Sequence, residues 1–342
     1  MKILVINSGS FSFKYKLFGE TFNLEKEGNF TAQDKTTEQN LEKVVEEIGD
    51  ISEIGAIGHR VVHGGKVFQK TTEINQENIG KLEQFNSLAP LHNPYNLAGI
   101  KASIKLLPGI PNFAVFDTSF FKTLPKYAKI YPLPLEYFEQ GFQKFGFHGT
   151  SHKYVAGEAA KKLGKPFEEC NLITIHLGGG CSITAIKEGK AIDTSMGLTP
   201  LEGLVMGTRS GDIDPGLLIH LLREKKLSPE EIDNLLNQES GIKGLTGHED
   251  FRDVLDGVEE SKEKETLAFE VFTYRVKKYL SAYFGVLGKV DAIVFTGAIG
   301  SGREETREKI IQGLEFLKNI PVFAIQTNEE LEIAKEIKEI LI

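Results

Sequence analysis

Arginine is scarce in this chain, and two arginines have neighbours typical of an anion-binding site. The 342 residues include seven arginines against 33 lysines. Arg60 lies in residues 58–65 (Gly-His-Arg-Val-Val-His-Gly-Gly), and Arg209 lies in residues 206–212 (Met-Gly-Thr-Arg-Ser-Gly-Asp). A guanidinium group donates a planar fork of hydrogen bonds that matches phosphate or carboxylate. We therefore expect both arginines to bind an oxyanion; chance proximity to glycine is the alternative.

Histidine and aspartate provide further candidates. Six of the eight histidines lie in segments rich in glycine, proline or asparagine: His59, His63, His92, His148, His152 and His176. His59 and His63 are four residues apart, as are His148 and His152, but neither pair carries the glutamate of the HExxH zinc motif. We therefore expect structural roles for His59 and His63 and a functional role for His148. Asp117 follows an apolar run, where α/β proteins often form sites. Asp193, Asp212 and Asp214 are also candidates, with helix capping as the alternative for the last two.

A strand–turn–strand pattern occurs twice, with an offset of 169 residues that places Gly9 on Gly178. Small residues let the backbone approach a ligand, and their N–H groups suit anions. The pair therefore predicts a duplicated fold that closes on a phosphate chain; two ordinary hairpins are the alternative. A third glycine-rich turn is expected at residues 297–302. No Walker motif or complete GxGxxG fingerprint is present, so a nucleotide would need a different cradle.

Strand patterns alternate with helical ones along the chain, which predicts an α/β fold. Strands are expected at residues 3–6, 14–18, 54–62, 112–116, 172–177, 181–186, 292–296 and 321–325. Helices are expected at residues 38–48, 75–88, 94–107, 215–225, 229–238, 261–284 and 329–342, and a further helix is expected to start near His152 and end at about Leu163. Because no low-complexity linker is present, we expect two packed halves with a cleft between them.

The bulk composition excludes several classes of protein. The net charge of −8 argues against nucleic-acid binding as the main function. No apolar stretch approaches the ~18 residues of a membrane span, and the N-terminus lacks the pattern of a signal peptide. Two cysteines outside any CxxC pattern cannot form a disulfide framework. These features predict a globular cytoplasmic protein of roughly two domains that binds neither membrane nor nucleic acid.

Taken together, the motifs resemble those of the acetate kinases, in the same order from end to end. The matching segments are residues 7–10, 58–65, 90–94, 115–118, 146–152, 206–212, 250–252, 295–296 and 327–331. The resemblance implies the duplicated RNase-H-like fold of the actin-like ATPases, with an interdomain active-site cleft. It places residues 1–121 and 331–342 in an N-terminal domain and residues 122–330 in a second, nucleotide-binding domain that would form a homodimer.

The resemblance also implies a reaction, the reversible direct in-line transfer of the ATP γ-phosphoryl group to acetate. The products would be acetyl phosphate and ADP. Arg60 and Arg209 would bind the acetate carboxylate and the moving phosphoryl group. His148 would donate a hydrogen bond to an equatorial oxygen of that phosphoryl group, and Asp117 would align the substrate or the water molecules on the metal. Acetate is already ionised at neutral pH and needs no base.

The remaining site residues are carried over from the same motifs. Mg²⁺, with Mn²⁺ as a possible substitute, would be held at Asn7 and Glu329. The acetate methyl pocket would be formed by Val62, Leu91, Phe147 and Pro200, beside Arg60. ATP or ADP would be bound by Lys14, His176, Leu177, Gly178, Gly179, Gly180, Asp250, Phe251, Arg252, Ala298, Ile299, Gly300, Ser301 and Gly302.

This chain departs from the family pattern in four places. It is shorter between Lys16 and Gly55 and between Gly302 and Pro321; Gly179 replaces the usual asparagine, and residues 297–302 differ from the usual Ala-Gly-Ile-Gly-Glu-Asn. The two replacements affect the expected nucleotide site. A propionate or butyrate kinase is the enzymatic alternative, and a non-catalytic actin-like ATP-binding protein is the alternative from a different class.

Overall fold

The computed structural model describes residues 1–9, 12–31, 35–90 and 92–342. They form two compact units, each described here by itself. Unit 1 comprises Met1–Lys122, Phe147–Tyr154 and Asn328–Ile342, and unit 2 comprises Thr123–Gly146 and Val155–Thr327. The division predicted from the sequence remains a prediction, because compactness does not show which parts fold or function as domains.

Unit 1 contains one six-stranded sheet with helices on both faces. Its strands are β1 (Lys2–Ser8), β2 (Ser12–Phe18), β3 (Leu24–Thr31), β4 (Ile54–Val61), β5 (Thr72–Ile74) and β6 (Asn112–Phe116). Its helices are α1 (Thr37–Ile48), α2 (Ile79–Glu83), α3 (Asn93–Leu106) and α14 (Glu329–Leu341), with a 3-10 helix at Asn86–Leu88. The strand order is β3-β2-β1-β4-β6-β5; β1 is antiparallel to β2 and parallel to β4, which is parallel to β6.

Unit 1 has an apolar core on each face of its sheet, because successive side chains of its strands alternate between the two faces. Leu4 and Ile6 of β1 pack with Leu41 of α1 and with α3, whereas Ile3 and Val5 pack with α14 on the opposite face. Successive side chains of a strand point to opposite faces, so β1 must be apolar throughout when helices cover both faces.

Unit 2 contains a five-stranded sheet. Its strands are β7 (Leu172–Leu177), β8 (Cys181–Lys187), β9 (Lys190–Thr194), β10 (Ala292–Thr296) and β11 (Val322–Ala324). Its helices are α4 (Lys126–Lys129), α5 (Leu135–Gln140), α7 (Pro215–Glu224), α8 (Pro229–Gln238), α9 (Gly241–Thr246), α10 (Phe251–Glu259), α11 (Glu263–Leu287), α12 (Gly297–Gly302) and α13 (Glu304–Ile311). α6 (Gly149–Leu163) has its first residues in unit 1, as does the 3-10 helix Ser119–Thr123. Further 3-10 helices occur at Phe167–Glu169 and Glu315–Leu317.

The two sheets repeat one topology. The second has the order β9-β8-β7-β10-β11, with β7 antiparallel to β8 and parallel to β10, which is parallel to β11. Strands β7, β8, β9, β10 and β11 thus correspond to β1, β2, β3, β4 and β6, and β5 is an addition. The offset of 169 residues carries Ser12–Phe18 onto Cys181–Lys187. The predicted α/β class and duplication are confirmed. The alternative of two ordinary hairpins does not explain why each hairpin belongs to one of two sheets with the same topology.

Most predicted elements are present, with three kinds of difference. The helix expected at residues 75–88 is divided into α2 and a 3-10 helix, and the turn expected at residues 297–302 is the short helix α12. The sequence analysis missed β3, β5, β9, α4, α5, α9, α10 and α13. Edge strand β3 is largely exposed and lacks apolar alternation, so its sequence carries little strand signal. Among the described residues, no helix has the length and apolarity required to cross a membrane.

Candidate active site

A cluster of polar residues in unit 1 continues the sheet face that packs against α14. The residues of this face in contact with α14 include Ile3, Val5, Ala56, Phe113 and Val115. By the same alternation, Asn7 at the end of β1, Arg60 near the end of β4 and Asp117 directly after β6 belong to this face. One polar edge therefore lies above an apolar core. It is formed by the carboxyl ends of three parallel strands and by Glu329, the first residue of α14.

Arg60 and Asp117 form a bidentate ion pair. Arg60 Nε donates to Asp117 Oδ1 at 2.9 Å, and Nη2 donates to Oδ2 at 2.7 Å. Strand pairing brings them together: Val61 is opposite Phe116 in the parallel pair, and the Asp117 N–H donates to the Val61 carbonyl at 3.0 Å. Asp117 is almost fully buried, whereas the Arg60 side chain keeps 19% of its exposure. The pair thus fixes the guanidinium plane while leaving part of its edge accessible.

Glu329 adds a second carboxylate to Arg60. Its Oε2 lies 3.5 Å from Arg60 Nη1. Burial raises the pKa of Glu329 to about 7, and the Asp117 and Glu330 carboxylates add to that rise against the lowering effect of Arg60 and Lys14. Burial alone would lower the pKa of Arg60, but Asp117 and Glu329 outweigh it and raise that pKa. The cluster therefore contains more carboxylates than Arg60 alone compensates, which suits a further cation.

Strand β2 supplies two lysines beside this cluster. Lys14 is paired with Asn7 in the β1–β2 register and is exposed. Lys16 lies 3.3 Å from the Glu330 carboxylate and donates to the Asn328 side chain at 3.2 Å. Lys16 thus tethers the start of α14, whereas the Lys14 side chain makes no hydrogen bond or ion pair among the residues that the structure describes.

His148 has an unusual backbone conformation, and the residue that follows it contacts the backbone of Asp117. Its φ of 59° is in the left-handed region, which costs a non-glycine residue free energy. The following N–H, that of Gly149, donates to the Asp117 carbonyl at 2.9 Å, and a Cβ at Gly149 would lie 2.2 Å from that oxygen. Gly149 therefore permits a close contact that fixes the backbone of His148 beside the Arg60–Asp117 pair.

The predicted methyl-pocket residues have different surroundings. Val62 and Phe147 are almost fully buried, and the Phe147 ring makes an edge contact with the His63 ring at 5.4 Å between centroids. The Val62 N–H donates to Asn96 Oδ1 at 3.2 Å. Leu91 lies outside the described residues. Pro200 lies in unit 2, where its carbonyl accepts a hydrogen bond from Arg209 Nη1 at 3.3 Å.

Two histidines near Arg60 have structural partners, as expected. His59 is buried, its Nε2 lies 2.8 Å from Asn112 Oδ1, and burial lowers its pKa to about 4. His63 Nδ1 accepts a hydrogen bond from the Gly65 N–H at 2.9 Å. His59 is therefore neutral at physiological pH. Both rings support the strand that carries Arg60.

Arg209 in unit 2 has the opposite electrostatic setting to Arg60. Its Nη1 donates to the Pro200 carbonyl and contacts Met206 Sδ at 3.7 Å. Burial lowers its pKa, and no carboxylate within the described part of the chain pairs with it. A partly desolvated cation without a counter-ion is suited to binding an anion.

A cavity of about 380 Å³ in unit 2 collects several predicted nucleotide residues. Its lining comprises Gly178, Gly179, Gly207, Ile242, Glu249, Asp250, Phe251, Phe272, Ala298 and Ile299. The glycine turn after β7, the start of α10 and the first turn of α12 thus meet at one place. The Phe251 and Phe272 rings lie 4.8 Å apart and provide an apolar wall for a flat heterocycle.

Other predicted nucleotide residues lie beside this cavity rather than in its lining. Leu177 is buried in β7, and His176 is half-buried on the same strand. Arg252 is 75% exposed and pairs with Asp250, which caps α10 by accepting from the Arg252 N–H. Gly180, Gly300, Ser301 and Gly302 are also not part of the lining; the Ser301 hydroxyl donates to the Gly297 carbonyl.

Sequence reasoning missed four residues of the cavity: Gly207, Ile242, Glu249 and Phe272. Glu249 directly precedes the predicted Asp250, and its ion pair with Lys243 at 2.6 Å could not be read from spacing. Phe272 is one of several apolar residues at helical spacing on α11. Nothing in its sequence context distinguishes it from a core residue, so only the tertiary structure identifies it.

The two units have matching sheets that define a protein of the duplicated actin-like ATPase fold. Likeness at the level of fold alone extends to a ROK family protein from Streptococcus pneumoniae, with a TM-score of 0.53 at 11% identity. The chain belongs to the acetokinase family, whose sequence profile matches residues 23–320.

Relatives cover the full chain. An acetate kinase from Halothermothrix orenii is 44% identical, and the alignment covers 100% of both chains. An acetate kinase from Sulfurovum sp. is 42% identical, and the alignment covers 100% of this chain and 99% of the relative. The first alignment spans 400 positions against the 342 residues of this chain, and the shorter segments predicted from the sequence stay a prediction. The Porphyromonas gingivalis acetate kinase structure matches at a TM-score of 0.91 and 37% identity over both complete chains. A propionate kinase structure from Francisella tularensis matches at 0.91 and 39%, with 98% of each chain covered.

Proposed function

We propose that this protein transfers the γ-phosphoryl group of ATP reversibly to acetate, giving acetyl phosphate and ADP. Membership of the acetokinase family supports the reaction class. The structural observation that supports it best is Arg60, which is held by Asp117 and Glu329 at the carboxyl ends of parallel strands. A planar donor fixed in this way matches a carboxylate or a phosphoryl group.

Positioning and charge stabilisation supply the catalysis in this proposal. Acetate arrives ionised, so no general base is required. Arg60 binds and orients the carboxylate nucleophile, and Arg209 stabilises negative charge on the equatorial oxygens during in-line transfer. His148 donates a further hydrogen bond to those oxygens. Asp117 holds Arg60 and would align the substrate or the water molecules on the metal.

The donor chemistry of unit 1 fits magnesium. Asn7 and Glu329 offer the hard oxygen ligands that this ion prefers, with Mn²⁺ as an alternative. Burial raises the pKa of Glu329, and the Asp117 and Glu330 carboxylates add to that rise. A divalent cation would compensate the negative charge of these groups. Bound Mg²⁺ would neutralise charge on the ATP phosphates, as in other phosphoryl transfers.

The nucleotide is assigned to the cavity of unit 2. Phe251, Phe272 and Ile242 provide apolar surface for the base, and Gly178 and Gly179 allow phosphates to approach the backbone. Lys14, His176, Leu177, Gly180, Arg252 and residues 300–302 remain predicted contacts that a complex with a non-hydrolysable ATP analogue would test.

Propionate is the second candidate substrate, because the similar Francisella tularensis protein is a propionate kinase. A hydrophobic pocket separates acids that differ by one methylene by only about 1–3 kcal/mol. We expect the specificity constant kcat/KM to fall in the order acetate, propionate, butyrate. A higher value for propionate or butyrate would reassign the substrate while leaving the reaction class intact.

Trapping with hydroxylamine tests the reaction itself. Protein mixed with ATP, Mg²⁺ and acetate should yield acetyl hydroxamate, and omission of acetate should abolish it. ATP binding by a folded sample without hydroxamate formation would instead support the non-catalytic actin-like alternative.

We also propose a homodimer in the cytoplasm, as the family resemblance implies. The apolar residues Leu217, Ile219 and Leu222 of α7 are exposed in the single chain, which leaves apolar surface that a second copy could cover. Light scattering after size exclusion would test the dimer: a mass near 37.9 kDa, that of one chain, would contradict it.

A further inference from the structure

The loop that carries Arg209 is closed at its base by Asp212. The Gly203 N–H donates to Asp212 Oδ1 at 2.8 Å, and the Asp212 N–H donates to the Gly203 carbonyl at 3.0 Å. Gly211 permits this closure, because its φ is +66° and a Cβ there would lie 2.4 Å from the Leu204 carbonyl oxygen. Residues 203–212 thus form a ring whose two ends are joined by the Asp212 side chain and by one backbone hydrogen bond.

The other oxygen of the same carboxylate connects this ring to helix α11. Tyr279 donates its hydroxyl to Asp212 Oδ2 at 2.6 Å, and Arg275 Nη1 donates to the Asp212 carbonyl at 3.1 Å. Phe272, which lines the nucleotide cavity, lies on the same face of α11 at helical spacing from both. One helix therefore supports both the base of the Arg209 loop and a wall of the cavity.

The tip of the ring has separate supports. The Ile242 N–H donates to the Met206 carbonyl at 3.0 Å, and the Ser240 N–H donates to the Thr208 carbonyl at 3.0 Å. Loss of the contact at the base should therefore leave the loop folded but allow it to shift. Arg209 makes no ion pair among the described residues that would restore its position.

We propose that Tyr279 and Asp212 are positioning residues for phosphoryl transfer, which hold the Arg209 loop at a fixed position relative to α11. The inference rests on the proposed kinase function. It assigns to Tyr279 an effect on turnover that operates through Arg209, since the Tyr279 hydroxyl donates to Asp212 and makes no hydrogen bond to Arg209 among the described residues.

The chain offers a matched pair of variants. Tyr279→Phe removes the hydroxyl that binds Asp212, and Tyr283→Phe removes a hydroxyl one helical turn further on that donates to Asp193 of β9 at 3.3 Å. Small displacements of catalytic groups cost up to about a hundredfold in rate. We expect Tyr279→Phe to lower kcat by about tenfold or more, with the Kd for ATP unchanged, and Tyr283→Phe to retain the parental kcat.

A double-mutant cycle then identifies the route of the effect. In an Arg209→Lys background, Tyr279→Phe should cause little further loss, because residues that act through one group are non-additive. Equal losses in both backgrounds, or an unchanged kcat for Tyr279→Phe in an active protein, would overturn the inference. Wild-type protein without activity on any short carboxylate would instead refute the proposed function.

Hydrogen exchange provides a readout that needs no turnover. The Gly203 and Asp212 amides should exchange faster in Tyr279→Phe than in Tyr283→Phe, because the carboxylate that closes the ring has lost its tether. Identical exchange in the two variants would contradict the proposal whatever the enzyme's substrate.

Discussion

Arg60 and Asp117, 57 positions apart in the chain, are joined by two hydrogen bonds of 2.9 and 2.7 Å at the ends of adjacent parallel strands. The pair orients the arginine before any ligand binds. A positively charged group that is pre-oriented needs little reorganisation during the reaction, which is the main source of electrostatic catalysis.

Asp117→Asn should therefore impair turnover more than stability. The amide keeps the shape of the side chain but offers Arg60 one acceptor instead of two, and we expect kcat/KM for acetate to fall by about a hundredfold. Asp291→Asn is the matched control, because Asp291 is also mostly buried and pairs with a lysine, Lys165, at 3.0 Å. Steady-state kinetics should show a loss for the first variant alone; equal losses would make the Asp117 effect merely structural.

Arg209→Lys should show that charge alone is insufficient. The lysine ammonium lacks the planar fork, so we expect kcat to fall by about a hundredfold at an unchanged Kd for ATP. Arg223→Lys, at an exposed position of α7, should behave as the parent. If Arg209→Lys retained the parental kcat, the assignment of phosphoryl stabilisation to this residue would be wrong.

His59 should make the folded protein sensitive to mild acid. Its pKa in the folded state is about 4, below the ordinary 6.5, because burial disfavours the charged ring. The unfolded chain then binds the proton more readily, so this group's contribution to stability falls as the pH drops from 6.5 towards 4. The loss could reach about 3 kcal/mol, from 1.36 kcal/mol per pKa unit.

Urea unfolding at pH 7 and pH 5 would measure this effect. His59→Gln keeps a side-chain donor for Asn112 without a titrating ring, so its free energy of unfolding should change less between the two pH values than that of the parent. His220→Gln, at an exposed histidine of α7, should leave the parental difference unaltered. A parental pH dependence in His59→Gln would show that other groups cause it.

Gly179→Asn should be tolerated and should strengthen nucleotide binding. A Cβ at Gly179 would meet no atom within 4 Å, and the new amide could donate to a phosphate in the adjoining cavity. We expect an unchanged Tm and a Kd for ATP that is a few-fold lower, by about 1 kcal/mol for one added hydrogen bond. Calorimetric titration would measure the affinity, and a weaker Kd would contradict the assignment of this turn to the phosphates.

Gly297→Ala is the contrasting variant at the third glycine segment. Its φ is +78°, and a Cβ would lie 2.4 Å from the Leu177 carbonyl oxygen. Strain of this kind costs about 1–3 kcal/mol, so we expect a lower Tm in thermal unfolding. An unchanged Tm for both glycine variants would show that the packing at Gly297 relaxes.

The sequence by itself determined the α/β class, the duplication and most of the residue types in the site. Periodic apolar runs specify strands and helices locally, and the recurrence of one pattern after 169 residues requires no knowledge of contacts. Arg60, Asp117 and Arg209 could be selected because unusual residue types lie in short, distinctive segments.

Only the tertiary structure decided which partners these residues have. Arg60 is paired with two carboxylates, whereas Arg209 has none among the residues that the structure describes, and this contrast depends on strand register and on where α14 begins. Phe272 lines the cavity proposed for the nucleotide, and Tyr279 contacts Asp212 from 67 positions away, because one long helix carries both residues at helical spacing. Local patterns fix the conformation of a segment, whereas distances between segments and the burial that shifts pKa values arise only when the packed fold brings remote parts of the chain together.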